Sequence, residues 1–186
     1  MCGAIHCEGE PGHHVTARIG EPFETARAVS DVLALLDAPV PAAGPTAGEG
    51  EPVTGEWTVT RGEGFVIVPL WESEGLVGVY ERAWTDAEEA AQGHLDALAA
   101  ELAGRWGPGR RVAMHGPLFR KQAGEPMPPL FQALCDEGCY GDLSVWGPVG
   151  GAPRWVGVSV NQCDGDAPMI LVAVVSDRAI VELPER

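Results

Sequence analysis

The chain predicts an α+β fold: a single domain with a largely antiparallel sheet of about seven strands and two or three packed helices. Three features carry that expectation. Apolar or alternating runs of strand length follow one another in groups, separated by turns rich in Gly, Pro and Asp. Two longer segments place apolar residues at helical spacing. The two kinds of segment do not alternate, as a parallel sheet of strand–helix–strand units would require. With 186 residues, 45% of them hydrophobic, the chain is long enough to bury one sizeable core.

The first element is a helix over residues 21–37, "EPFETARAVSDVLALLDAP". Pro22 suits a first helical turn and Glu21 and Glu24 suit the positive end of the helix dipole. Phe23, Ala26, Val29, Val32, Leu33 and Leu36 recur on one face, and Pro39 and Pro41 stop the run. Residues 38–52 are mostly Ala, Pro, Gly and Glu, which predicts a mobile linker, and the polar residues 1–20 predict a mobile leader. The core domain is then 53–186. "EWTVT", "FVIVPLW" and "LVGVYER", separated by "RGEG" and "ESEG", read as a three-stranded meander with Pro69 at a bulge. Thr85 and Glu88 have capping-box spacing ahead of a stripe of Ala87, Ala91, Leu95, Leu98 and Leu102, so a second helix is expected up to Gly104. A strand "RRVAMHG", a short helix "PPLFQALCDEG" and strands "DLSVWGPV", "RWVGVSV" and "MILVAVVSD" follow, with "RAIVEL" as a candidate eighth strand. The echo between "MHGPL" and "VWGPV" is assigned to turn chemistry rather than to duplication.

The formal net charge is −15, and it is unevenly placed: residues 1–101 hold 18 acidic side chains against 4 arginines, whereas residues 102–186 hold 9 against 8 basic ones. Such a field repels nucleic acid and anionic membrane and steers cationic partners, although an acidic surface is also common in soluble proteins without such a partner. The longest apolar run, residues 169–175, is far short of a membrane-spanning helix, and the first thirty residues lack the basic-then-apolar pattern of a secretory signal. Five cysteines without dense spacing suit reduced thiols. A cytoplasmic location is therefore expected. Lys121 is the only lysine and Asn161 the only asparagine, a bias typical of a GC-rich bacterial genome.

Candidate chemistry begins with "MCGAIHCEGEPGHH", where Cys2, His6, Cys7, His13 and His14 are donors of the kind zinc prefers. Met1-Cys2-Gly3 also resembles the start of class II glutamine amidotransferase domains, which implies a cysteine nucleophile activated by its own amine. The resemblance covers about five residues. "HCEGEPGHH" departs from the strand those domains place next, and their downstream arginine, asparagine and aspartate motifs are absent. Cys135 and Cys139 lie one helical turn apart; Cys135 falls with Phe131 and Leu134 on an apolar stretch where a cysteine is more often a small core residue, and Cys139 after Gly138 suits either role. Arg110, Arg111, Arg120 and Lys121, near His115, form the one concentrated basic stretch, without a glycine-rich phosphate loop. His94 sits at the edge of a helical stripe, and Asp164 and Asp166 in "NQCDGDAP" read as a hairpin loop, with too few ligands in register for calcium.

Six tryptophans are mostly expected in the core. Trp71 and Trp84 fall at the ends of predicted meander strands beside Glu72, Glu74 and Glu81, with Arg82 the one base among them. Aromatic anchors flanked by carboxylates suit an interface for a basic protein. The expectation is a protein-binding module without a cofactor or enzymatic activity, of which a toxin-neutralising immunity protein is the concrete form. The alternative is a zinc-binding protein or enzyme using the Cys/His leader. Zinc stoichiometry with and without residues 1–20 separates the two.

Overall fold

The computed structural model describes residues 20–184. Seven strands form one sheet: β1 (Ala47–Glu49), β2 (Val59–Gly62), β3 (Phe65–Glu72), β4 (Arg110–Val112), β5 (Leu143–Val149), β6 (Arg154–Asn161) and β7 (Ile170–Ser176). Their order is β1-β2-β3-β7-β6-β5-β4, and every neighbouring pair is antiparallel. The sheet is thus two meanders joined where β3 meets β7. Four helices, α1 (Thr25–Asp37), α2 (Glu81–Trp106), α3 (His115–Gln122) and α4 (Pro129–Asp136), complete the α+β fold. None of the helices is long and apolar enough to cross a membrane, among the described residues.

The centre of the molecule follows from the apolar run of β7. All seven of its residues are buried, because β3 and β6 occupy its edges and helices cover both faces. Leu171, Ala173 and Val175 pack with Val66, Val68 and Val156 beneath α1 and α2. Ile170, Val172 and Val174 pack on the other face with Phe65, Ile67, Leu143 and the α4 residues Leu130, Phe131 and Leu134. The helical stripe of α2 is borne out at Ala91, Leu95, Leu98 and Leu102, all buried. α1 buries Ala28, Val29, Val32, Leu35 and Leu36, with Phe23 and Leu33 partly covered.

Five local expectations are corrected. "LVGVYER" is not a third meander strand: β2 and β7 already occupy both edges of β3, so the chain leaves the sheet after Glu72. The first meander takes its third strand from β1, inside the segment expected to be a linker. Pro41 O also accepts from Gly64 N at 2.8 Å, and Arg154 donates to the carbonyls of Leu36 and Ala38. α2 starts at Glu81 rather than at a Thr85 cap, and Thr85 Oγ1 donates back to Glu81 O at 3.1 Å. α3 occupies what reads as a strand exit, since Pro117 in a first helical turn removes no needed donor. Finally, residues 179–183 form no eighth strand: Ile180 is buried and its carbonyl accepts from Arg110, while Glu182 Oε2 accepts from Ala113 N at 3.2 Å.

The expected bulge is present, with the β3–β7 register shifting between Pro69 and Trp71. Its consequence is specific. Strict alternation would put Trp71 on the α4 face with Phe65 and Ile67, but the extra residue turns Trp71 toward α1 and α2 and leaves Glu72 opposite Ile170.

Candidate interaction surface

Two connections meet at the end of the sheet where β3 finishes: residues 73–80, leading into α2, and the β6–β7 turn, residues 162–168. Backbone chemistry ties them together. Ser73 N donates to Met169 O and Met169 N donates to Ser73 Oγ, both at 2.9 Å, and Leu76 N donates to Asp166 O at 3.0 Å. Within the turn, Asp164 Oδ1 accepts from Asp166 N at 2.8 Å, and Gln162 Nε2 donates to the carbonyls of Gly165 and Ala167. The Trp84 indole N–H donates to Gln162 Oε1 at 3.3 Å, which docks the first turn of α2 on the same loop.

Leu76 is buried and anchors the connection, and the side chains around it are left outside. Val77 is 78% exposed and Tyr80 88%, with Val79 also exposed. Glu74, Glu81, Asp164 and Asp166 are exposed on the same two connections and the start of α2, and Arg82 is the base beside them. Apolar side chains held outward on a hydrogen-bonded scaffold, among carboxylates, can cover a partner's apolar patch while complementing cations at its rim.

The expected interface residues divide. Glu74 and Glu81 are on this surface, and Trp84 is half-buried beneath it. Trp71 is not an exposed anchor: it is buried, its indole N–H donates to Glu21 O at 3.1 Å, and its ring meets Phe23 and His94 edge-on. Glu72 is not a surface acid either. It is 3% exposed, its Oε1 has no hydrogen-bond partner, and burial pushes its carboxyl up from 4.5 to about 7. Val77, Val79 and Tyr80 were hidden inside a run that reads as a strand. Their signal was Gly78 within it, close after Gly75 of the preceding turn, which weakens strand character.

The other candidates resolve into structure. Cys2, His6, Cys7, His13 and His14 lie outside the described residues. Among the described residues no group of three or more His, Cys, Asp or Glu is placed to hold a metal ion. Burial raises the thiols of Cys135, to about 11, and of Cys139 and Cys163, as expected of packed rather than reactive cysteines. His94 stacks on Phe23 with ring centroids 4.4 Å apart, and burial lowers its pKa. The basic stretch is engaged internally: Arg111 pairs with Asp142, Lys121 with Asp136, and Arg120 donates to Pro184 O. That last bond lies at a groove of about 470 Å³ between α3 and Pro184.

Comparison of the chain with protein-family models, curated proteins and solved structures finds no match.

The turn has its own support. Asn161 Oδ1 accepts from Gly141 N at 2.7 Å and Asn161 Nδ2 donates to Ser159 Oγ at 2.9 Å. Asn161→Ala leaves the Gly141 amide without this acceptor and lowers stability by about 1–2 kcal/mol, read from urea denaturation.

Proposed function

We propose that this protein is a small acidic protein-binding module. It engages a basic partner through residues 73–80, the start of α2 and the 162–168 turn. Its concrete form is an immunity protein that occupies a cationic toxin. The supporting observation is the exposure of Val77 and Tyr80 on a connection already fixed by hydrogen bonds to a neighbouring turn, with Glu74, Glu81, Asp164 and Asp166 around them. A fixed anchor loses little conformational freedom on docking. The carboxylates act on the encounter, where opposite charge raises the association rate.

The test uses the partner recovered by cross-linking in source cells and then purified. Raising ionic strength from about 0.01 M to 0.15 M shortens the Debye length from about 30 Å to about 8 Å. Association is expected to slow by about tenfold or more, with little change in dissociation. A salt-independent association rate, or an acidic partner, contradicts the reading.

A further inference from the structure

We propose that Glu72 gates the docking connection: its buried carboxyl holds residues 73–80 against the 162–168 turn when protonated and releases them when ionised. The inference rests on the docking role proposed above. Its geometry is independent of that role. Glu72 is the last residue of β3, paired with Ile170, and the next residue, Ser73, makes the hydrogen bonds to Met169 that start the connection. The bulge between Pro69 and Trp71 puts this carboxylate on the Ile170 face of the sheet, where it is buried and Oε1 finds no donor. A protonated carboxyl is tolerated there. An ionised one is driven toward water, and because it is the final rung of the strand, moving it withdraws Ser73 from Met169 and then Leu76 from Asp166.

Burial is the sole cause of the raised pKa, and the surroundings offer no compensating charge. Glu72 helps to raise the thiol of Cys163 in the turn, and behind Cys163 lie Cys139 and Glu137 of the α4–β5 connection. Ile170 of β7 and Asn161 and Ser159 of β6 complete that side of the sheet and do not titrate. Glu74, Asp164 and Asp166 are the exposed acids on the two connections. His94 lies across the sheet against Trp71. An acid whose pKa is higher in the closed state favours that state at low pH. The preference is fully present below 4.5 and is lost as pH rises through about 7. His94, lowered by burial, acts in the opposite sense, since its contribution is lost as pH falls below 6.5.

Hydrogen exchange of the free protein at pH 6 and pH 8, corrected for intrinsic rates, tests the gate without a partner. Protection of the Ser73 and Leu76 amides is expected to fall about tenfold at pH 8 in the wild type and to be equal at both pH values in Glu72→Gln. Equal protection in the wild type, or the same loss in Glu72→Gln, overturns the proposal. Should that variant not fold, carbon-13 NMR of the wild-type carboxyl decides: a midpoint near 7 that moves with the loop resonances supports the gate, and a midpoint near 4.5 overturns it. If the loop responds to pH while partner affinity does not, the docking surface lies elsewhere and the gating of docking is overturned. The loop motion would then stand alone.

Discussion

Trp71→Ala lowers the free energy of unfolding by about 3–5 kcal/mol, the range for emptying a large aromatic from a packed interior. The size follows from what the indole joins. It lies on β3, its N–H holds the backbone of Glu21 ahead of α1, and its ring contacts Phe23 and, on α2, His94. One side chain therefore ties two helices to the sheet. Urea denaturation with an unchanged m-value checks the magnitude. Trp71→Phe retains most of the contact and is expected to leave the partner's dissociation rate unchanged, because position 71 does not reach the surface. Faster dissociation from Trp71→Phe would restore Trp71 as an interface anchor.

Tyr80→Ala is expected to speed dissociation of the basic partner by about 30-fold, corresponding to about 2 kcal/mol for an aromatic anchor. The ring is the most exposed large apolar side chain among the described residues and stands at the entrance to α2. Reversing charge with Glu74→Lys and Glu81→Lys should act on the other rate, slowing association and weakening its salt dependence. Neither acid makes a described ion pair or side-chain hydrogen bond, so Glu74→Lys should leave urea stability within about 0.5 kcal/mol, whereas Glu81→Lys, in the first turn of α2, should lower it by about 0.3–1 kcal/mol through the helix dipole. Surface plasmon resonance separates the two effects. Both sets of changes leaving both rates intact would reduce this acidic face to a solubilising surface.

Much of the fold was legible because its strongest signals are local. The apolar run of β7, the stripe Ala91, Leu95, Leu98 and Leu102, and the Pro69 bulge each declare themselves within a few residues. What was not legible depended on partners distant in sequence. Nothing near "LVGVYER" reveals that β7, about a hundred residues later, takes the edge of β3 and forces this run out of the sheet. Nothing near "TAGEG" reveals that β2 recruits Ala47–Glu49 as an edge strand. The site was half legible for the same reason. Glu74 and Glu81 are where an acidic surface predicts them, while Glu72 and Trp71 are buried by tertiary packing, and a one-residue register shift sets which face of the sheet each takes. The exposure of Tyr80 became visible only once its run was seen to lie outside the sheet.

The most direct measurement is hydrogen exchange of the protein alone and saturated with its purified basic partner, at one pH and salt concentration. The docking account predicts new protection concentrated in residues 73–86 and 162–168, with β1 and α3 unchanged. Protection centred instead on residues 110–122, or none in the two acidic connections, would contradict it.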